Sequence, residues 1–263
     1  MILNLVYMMD LDQFQNFVFD LTRESGELIL EHFCDPDLKV YLKNDASPVT
    51  EADRQAEQIL RKRISERFPT HGILGEEFEP FRQEAEWTWL LDPIDGTKSF
   101  VAGVPLFGTV ISLQFHGKPV MGAIHLPAME GQLLVGDGNI ALLDGNKVTV
   151  RRPGSCNEWV VLTSDERDIF TYRNEFGWKN LLNKVAYCRT WGDCYGYFLV
   201  ATGKADIMLD PVVNVWDFHG VIPIINGAGG KITNWLGKDA AGSESTVAAS
   251  VEIHSSVLSI LNP

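Results

Sequence analysis

The order of apolar patterns along the chain constrains the fold more than any other feature. Apolar residues recur at helical spacing over about Asp10–His32, and the same spacing predicts a second helix from near Thr50 to Pro69. Short apolar or alternating runs separated by turn residues follow, which is typical of a meander of antiparallel strands. The predicted strands are Trp89–Leu91, Thr109–Phe115, Val120–His125, Gln132–Val135, Ile140–Leu143 and Lys147–Val150.

From Trp159 onward the pattern changes to an alternation of strand and helix, which indicates an α/β layer. The predicted elements are strands at Trp159–Thr163, Val185–Cys188 and Ile207–Leu209, and helices near Glu166–Lys184, Cys194–Ala201 and Asp217–Ile225. We therefore predict two packed subdomains with a cleft between them. An α+β subdomain covers residues 1–153 and an α/β subdomain covers residues 154–263, with Pro153 and Gly154 at the boundary.

Composition excludes several classes of function. The formal net charge of −13 and the pI near 4.8 disfavour general binding to nucleic acid, whose phosphate backbone such a surface repels. No apolar run approaches the roughly 20 residues that a membrane span requires. The apolar start, Ile2–Met9, has neither the basic flank nor the cleavage site of a signal peptide. The four cysteines form no C-x-x-C pair, so we expect free thiols in a cytoplasmic protein.

The chemistry is carried by acidic residues that stand beside turn formers at the ends of apolar runs. Glu76 and Glu77 follow Ile73-Leu74-Gly75, Asp92 and Asp95 lie in Asp92-Pro93-Ile94-Asp95-Gly96-Thr97, and Asp217 follows Trp216. Pro93 and Gly96 allow the chain to fold back, so that Asp92, Asp95 and the Ile94 carbonyl can point to one side. Oxygen ligands of this kind suit Mg²⁺, and the backbone amides of Gly96 and Thr97 suit an anion such as phosphate.

Each of these acids also has an ordinary structural explanation. Asp-Pro and Asp-Gly are common turn formers, a Glu pair is commonly solvated, and Asp217 would serve as an N-cap. Together, however, the acids are flanked by Trp89, Leu91 and Trp216, and unpaired buried carboxylates are costly. Divalent cations are the simplest way to neutralise them.

These segments resemble the inositol monophosphatase family of Mg²⁺-dependent phosphatases. The resemblance includes Pro48-Val49-Thr50-Glu51-Ala52-Asp53 and the Gly-rich stretch after Asp217, and it spans nearly the whole chain in order. It implies an α/β (α+β) fold, a layered α-β-α-β-α sandwich, and hydrolysis of phosphomonoesters. It also implies one metal held by Glu76, Asp92 and the Ile94 carbonyl, and a second held by Asp92, Asp95 and Asp217. Thr97, Asp53 and Glu76 are the implied catalytic residues, and Thr97, hydrogen-bonded to Asp53, would help to activate water.

Within the family, the chain is similar to the histidinol-phosphate phosphatase branch, which acts in histidine biosynthesis. The similarity rests on Asp95–Phe100, Gly103–Thr109, Arg189–Tyr197 and Asp210-Pro211. Arg189 would bind an anion, while Asp193 and Asp210 would face a cationic group of the substrate. An ordinary reading also stands, in which Arg189 pairs with Asp193 and the helix after it is core. Asp95, Gly96 and Thr97 complete the predicted substrate-binding set.

The resemblance thus implies a small phosphomonoester as substrate, two or three Mg²⁺ ions and a homodimer. Asp45 is the acid that favours a third ion, and the role of Lys43 is open. Alternatives to histidinol phosphate are inositol 1-phosphate and a broad range of phosphomonoesters. Fructose bisphosphate is disfavoured because no extra basic cluster awaits a second phosphate. A catalytically silent metal-binding protein is the alternative from another class.

Overall fold

The computed structural model describes residues 9–43 and 47–263. The first helix, α1 (Leu11–His32), is capped by Asp10, whose side chain accepts a hydrogen bond from the Gln13 amide, while the Asp10 amide donates one to the Gln13 side-chain oxygen. This reciprocal capping box satisfies two amides that the first helical turn leaves free. The predicted start is confirmed. The predicted acid Asp45 and the segment 1–8 lie outside the described residues.

A short hairpin and a second helix follow. Strands β1 (Val40–Leu42) and β2 (Pro48–Thr50) pair antiparallel, and α2 (Glu51–Arg67) starts directly after them. Thr50 caps α2 and Asp53 closes a second capping box, because the Asp53 carboxylate accepts hydrogen bonds from the Thr50 amide and hydroxyl. The helix cap therefore also fixes the carboxylate of Asp53.

The first half of the chain builds a seven-stranded sheet in which the strands lie in chain order. The first two strands run parallel and the others form the predicted antiparallel meander. The strands are β3 (Gly72–Gly75), β4 (Trp87–Asp95), β5 (Gly108–Phe115), β6 (Lys118–Leu126), β7 (Gln132–Gly136), β8 (Ala141–Leu143) and β9 (Asn146–Val148), with the short helix α3 (Thr97–Val101) between β4 and β5.

The second half builds a five-stranded sheet of order β11-β10-β12-β14-β13. Its strands are β10 (Val160–Thr163), β11 (Tyr187–Arg189), β12 (Ile207–Asp210), β13 (Gly230–Thr233) and β14 (Thr246–Ser250). The helices of this half are α4 (Glu166–Tyr172), α5 (Glu175–Leu182), α6 (Asp193–Ala201), α7 (Val215–Phe218), α8 (Val221–Gly227) and α9 (Val251–Leu261).

The buried side chains divide the molecule into five layers. Helices α1 and α2 cover one face of the seven-stranded sheet, helices α6 and α8 fill the space between the two sheets, and α5 and α9 cover the outer face of the five-stranded sheet. The middle layer is tight, because a Cβ on Gly122 of β6 would stand 1.7 Å from the Gly220 carbonyl oxygen just before α8. The predicted α-β-α-β-α sandwich is confirmed. None of the helices in the described ranges is long and apolar enough to cross a membrane.

Several predicted elements need correction. The single helix predicted near Glu166–Lys184 is two helices, because the Asn174 side chain accepts hydrogen bonds from the amides of Phe176 and Gly177 and starts α5 there. The helix predicted from Asp217 is also two helices, and the first begins two residues earlier at Val215. Strands β13 and β14 and helix α9 were not predicted. The proposed division into residues 1–153 and 154–263 stays a proposal.

Candidate active site

The end of β4 and the turn after it carry two neighbouring carboxylates. Asp92 is 2% exposed and Asp95 is 9% exposed, and the pairing of β4 with β5 shifts register between them. The turn is held open by Gly96, whose φ of 92° is unfavourable for other residues. A Cβ there would stand 2.9 Å from the Leu106 carbonyl oxygen and 3.2 Å from Asp193 Oδ2. The glycine therefore lets the turn approach the start of α6.

Neighbouring elements bring further acids to the same turn. The Glu76 amide donates a hydrogen bond of 3.2 Å to the Leu91 carbonyl, which ties the end of β3 to β4. Lys43 Nζ contacts Glu76 Oε1 at 2.7 Å and Glu77 Oε1 at 2.6 Å. This places Lys43, whose role the sequence left open, against a predicted metal ligand.

The fifth predicted metal ligand, Asp217, comes from α7. Asp217 lies at the third helical position and Asn214 is the N-cap, so the alternative that Asp217 is itself the N-cap residue is wrong. The Asn214 amide donates a hydrogen bond of 2.7 Å to Asp217 Oδ2. This capping box fixes the Asp217 carboxylate at the beginning of the short helix.

The electrostatics show that these acids share one site. Burial raises the pKa of Asp92 well above its ordinary value, and the charges of Glu76, Asp95 and Asp217 raise it further. Burial, followed by the charges of Asp193, Asp217 and Asp210, does the same to Asp95. The pKa of Asp217 is raised to about 7, first by burial and then by the charges of Glu76 and other acids. Carboxylates that repel one another in this way form a donor set suited to hard divalent cations.

The side chains of the predicted metal ligands do not surround one common point in this structure. Across residues 9–43 and 47–263, no three His, Cys, Asp or Glu side chains are placed to hold one metal ion. Instead, Glu76 accepts a hydrogen bond from Lys43, Asp92 from the Ile94 amide and Asp95 from the Cys194 amide. Lys43 would therefore compete with a cation for Glu76.

The predicted pair of Thr97 and Asp53 is brought together across 44 residues of sequence. Thr97 Oγ1 lies 3.4 Å from Asp53 Oδ1 and 3.0 Å from the Ile94 carbonyl oxygen. Burial raises the pKa of Asp53 to about 6, although hydrogen bonds from Thr50 oppose the shift. A carboxylate with that pKa can exchange a proton with its surroundings near neutral pH.

A cavity of about 260 Å³ extends from two of the predicted metal ligands, Asp95 and Asp217. Asp193 and Asp210 also line it. Asp210 is 3% exposed, and its two oxygens accept hydrogen bonds of 2.5 Å from the hydroxyls of Ser164 and Tyr197. Several further lining residues were not predicted as site residues, among them Lys98, Ser164, Asp165 and Asp168. Ser164 and Asp165 directly follow β10, so the rule that found Asp92 at a strand end applies to them as well.

Three of the predicted substrate-binding residues, Gly96, Thr97 and Arg189, do not line this cavity. Gly96 and Thr97 lie in the turn next to Asp95, whereas Arg189 comes from another sheet. It is exposed at the end of the edge strand β11, where its guanidinium donates to the Cys188 carbonyl at 2.8 Å and lies 5.1 Å from the centre of the Tyr187 ring. These local contacts hold it away from Asp193, so the alternative pairing of Arg189 with Asp193 is wrong.

The chain matches a known protein family. The family model described as the inositol monophosphatase family matches residues 10–262. The chain belongs to this family. It is a phosphoric monoester hydrolase, as predicted.

The relatives differ in their described substrates. A histidinol-phosphatase of Chlorobaculum parvum is 36% identical over 84% of this chain and 85% of its own. A fructose-1,6-bisphosphatase/inositol-1-monophosphatase of Thermotoga maritima is 28% identical over 94% of this chain and 95% of its own. Among solved structures, the extragenic suppressor protein suhB of Bartonella henselae has a TM-score of 0.87 at 26% identity, covering 94% of this chain and 97% of that one. Family membership therefore leaves the substrate open.

Proposed function

We propose that this family member is a Mg²⁺-dependent histidinol-phosphate phosphatase. The observation that carries the proposal is the acidic character of the cavity beside the carboxylate cluster, which Asp165, Asp168, Asp193 and Asp210 all line. Histidinol phosphate carries an ammonium group besides its phosphate, whereas inositol phosphate offers only hydroxyls. Acids that are not needed for metal binding favour the cationic substrate.

The residues that would hold Mg²⁺ are Glu76, Asp92, the Ile94 carbonyl, Asp95 and Asp217. When bound, Mg²⁺ supplies positive charge that offsets the charge of the phosphate group and favours deprotonation of the attacking water. We propose two ions, and a third is the alternative that Asp45 favours.

The protein's own contribution begins with the proton of the attacking water. The Thr97 hydroxyl, oriented between Asp53 Oδ1 and the Ile94 carbonyl oxygen, would accept this proton while passing its own to Asp53. Glu76 would assist once Lys43 releases it. The Gly96 and Thr97 amides, together with Asp95, would hold the phosphate group.

Asp193, which lies beside the Gly96 turn, is proposed to receive the ammonium group of the substrate. Its backbone amide donates a hydrogen bond of 2.9 Å to Ser164 Oγ, and its φ of 52° turns the chain sharply at the start of α6. Asp210 lies behind Ser164 and would add negative charge. Arg189 would bind an anion only if a second chain or a conformational change brought a ligand to it.

The decisive experiment compares substrates. We expect kcat/KM with Mg²⁺ to be higher for histidinol phosphate than for inositol 1-phosphate or fructose 1,6-bisphosphate. Asp193→Asn should weaken binding of histidinol phosphate by about 2–5 kcal/mol, which raises KM by roughly 30-fold or more, because it leaves a buried ammonium group unpaired. Hydrolysis of a small generic phosphoester should change much less. The matched control is Asp20→Asn, which removes an exposed acid from α1.

Equal losses on both substrates would mean that Asp193 is structural or belongs to the metal site. The second candidate function is an inositol monophosphatase or a broad phosphomonoesterase, which the Thermotoga maritima relative favours. A wild-type preference for inositol 1-phosphate would establish it in place of our proposal.

A second prediction concerns metal and pH. The raised pKa values mean that the folded, metal-free protein binds protons more tightly than the unfolded chain does. Its free energy of unfolding should therefore fall as pH rises from the ordinary carboxyl range, about 4, to the folded values of about 6 for Asp53 and about 7 for Asp217. Millimolar Mg²⁺ should raise Tm, and the gain should increase with pH because the cation competes with protons.

Thermal melts of chelator-treated protein between about pH 5 and about pH 8 would test this linkage. Asp217→Asn should make the metal-free protein more stable near neutral pH, since it removes one repelling charge, and should reduce the response to Mg²⁺. Asp20→Asn should do neither. A Tm that depends on neither pH nor Mg²⁺ would rule out the carboxylate cluster as a metal site.

We further propose a cytoplasmic location and a homodimer. The location is supported by four cysteines that are all free thiols. The dimer is supported by the exposed edge strand β11, whose unpaired backbone groups and exposed Tyr187 offer a surface to a second chain. Size-exclusion chromatography with light scattering would measure the mass of the assembly.

A further inference from the structure

Helix α2 carries a fully buried acid that the proposed chemistry does not use. Glu57 lies one turn after Asp53 on the same face of α2, and it is 0% exposed. Arg61 lies one turn further along, and its Nε donates a hydrogen bond of 2.6 Å to Glu57 Oε1. A buried carboxylate without a partner is costly, and Arg61 supplies a partner for one of the two oxygens. The other oxygen binds outside the helix.

The second oxygen of Glu57 holds the segment that follows β3. Glu57 Oε2 accepts a hydrogen bond of 2.8 Å from the Glu77 amide, across 20 residues of sequence. The guanidinium of Arg61 extends this contact, because Nη2 donates to the Phe78 carbonyl at 3.0 Å and Nη1 to the Glu79 carbonyl at 3.2 Å. Three successive residues of this segment are therefore bonded to one ion pair on α2.

The residue on the other side of Glu76 is fitted to the same carboxylate. A Cβ on Gly75 would stand 2.0 Å from Glu57 Oε1, so a larger residue at this position would displace Glu57. The Glu76 amide itself donates to the Leu91 carbonyl. The backbone of Glu76 is thus fixed from both sides, by close packing on Glu57 before it and by a hydrogen bond to Glu57 after it.

We infer that Glu57 and Arg61 are positioning residues for Glu76, the acid that would bind one of the Mg²⁺ ions. The inference rests on the metal set of the proposed function. Groups that orient a metal ligand typically change metal affinity by about 10–100-fold when they are replaced. The physical reason here is that a ligand with a fixed backbone has only side-chain freedom to lose when the cation binds.

The same face of α2 supports the other part of the proposed chemistry. Asp53 accepts a hydrogen bond from the Thr50 amide and lies 3.4 Å from Thr97 Oγ1. Because the Thr50 cap fixes Asp53 independently, the loss of Glu57 or Arg61 should leave the proton acceptor in place. The pair should therefore affect the binding of Mg²⁺ much more than the rate of the loaded enzyme.

Amide hydrogen exchange of the whole, metal-free protein tests the contact itself. In Glu57→Gln the side-chain oxygen can serve one of the two donors, and the charged Arg61 is the stronger of them. The Glu77 amide, followed by nuclear magnetic resonance, should then exchange about tenfold faster or more than in the wild type. Glu66→Gln, which changes an exposed acid of the same helix, is the matched control and should leave that rate unchanged. An unchanged rate in Glu57→Gln would overturn the inference.

Calorimetric titration with Mg²⁺ separates positioning from general stability. Glu57→Gln and Arg61→Lys should each raise the Kd for Mg²⁺ by about tenfold or more, at a temperature where a melt shows each variant to be folded. Arg61→Lys is the milder change, because it keeps the positive charge beside Glu57 and loses the fork of donors that reaches two carbonyls. Arg63→Lys, exposed on the same helix, is the control and should bind Mg²⁺ as the wild type does.

The outcomes distinguish this inference from the proposed function. A wild type that binds Mg²⁺ and variants with an unchanged Kd would overturn the positioning role and leave the metal set standing. A fall in kcat at saturating Mg²⁺ as large as the loss of affinity would also overturn it, because the pair would then support the whole site rather than Glu76. A wild type that binds no Mg²⁺ would overturn the metal set and the positioning role together.

Discussion

Replacing Thr97 by Ala, or Asp53 by Asn, is expected to lower kcat by about 10²–10⁴-fold, the usual contribution of assisted proton transfer. A threonine hydroxyl is a weak base by itself. It becomes effective only when a carboxylate receives its proton, and Asp53 Oδ1 is 3.4 Å from Thr97 Oγ1 with a pKa raised to about 6 by burial. KM should change much less than kcat, because neither change removes a charge from the substrate pocket.

The double variant separates a shared role from two independent ones. If Thr97 and Asp53 act as a unit, the double variant should be scarcely slower than either single variant. Thr97→Ser keeps the hydroxyl and should retain most of the activity. If the losses in kcat of the two single variants multiply in the double variant, the proposed proton transfer from Thr97 to Asp53 is disproved.

Asp53 also caps α2, so its folding role must be measured separately. Asn at this position can still accept a hydrogen bond from the Thr50 amide, and we expect a loss in stability of about 1 kcal/mol, typical of a weakened cap. A melt under assay conditions would show that the protein is folded. Steady-state kinetics then reports the chemical step alone.

Much of the fold was predictable because its signals are local. The Asp10–Gln13 capping box and the turn-separated strands of the meander involve residues close in sequence, and the structure confirms both. The break between α4 and α5 was missed because apolar residues keep helical spacing across it, with Ile169 and Trp178 both buried in one core. Only the competition of Asn174 for backbone amides reveals the break.

Elements that depend on distant partners were less predictable. Strand β14, Thr246–Ser250, consists largely of small residues and has little apolar pattern of its own. It forms because β12 and β13 pair with it on both sides. Its amphipathic neighbour α9 then covers the outer face of the sheet.

The same distinction applies to the candidate site. The proximity of Asp92, Asp95 and Gly96 was predictable, because a proline and a glycine directly follow the end of a strand there and make a turn. The contact of Ser164 with Asp210 joins residues 46 apart, and no sequence pattern predicts it. The exposed position of Arg189 at the end of the edge strand β11 was not predictable for the same reason, because the direction of a strand-end side chain depends on the sheet edge it occupies.

Asp92→Asn is expected to have the largest effect of any single change, because Asp92 is the one carboxylate implied for both metal ions. Loss of several kcal/mol of charge stabilisation corresponds to a fall in kcat/KM of about 10³-fold or more. Asparagine has nearly the same shape and can still accept the 3.1 Å hydrogen bond from the Ile94 amide. The geometry of the turn should therefore survive while the charge is lost.

The stability of the variant should change in the opposite direction to its activity. Asp92 is 2% exposed, and burial together with the charges of Glu76, Asp95 and Asp217 raises its pKa, so the metal-free fold is destabilised by this carboxylate near neutral pH. Removing its charge should raise the Tm of the metal-free protein, while the gain in Tm from Mg²⁺ is largely lost. The matched variant Asp168→Asn, which changes an acid of the cavity outside the predicted metal set, should keep both the Mg²⁺ response and the hydrolysis of a generic phosphoester. A more stable but inactive Asp92→Asn protein cannot be explained by misfolding, whereas activity within about tenfold of wild type would exclude Asp92 as a shared metal ligand.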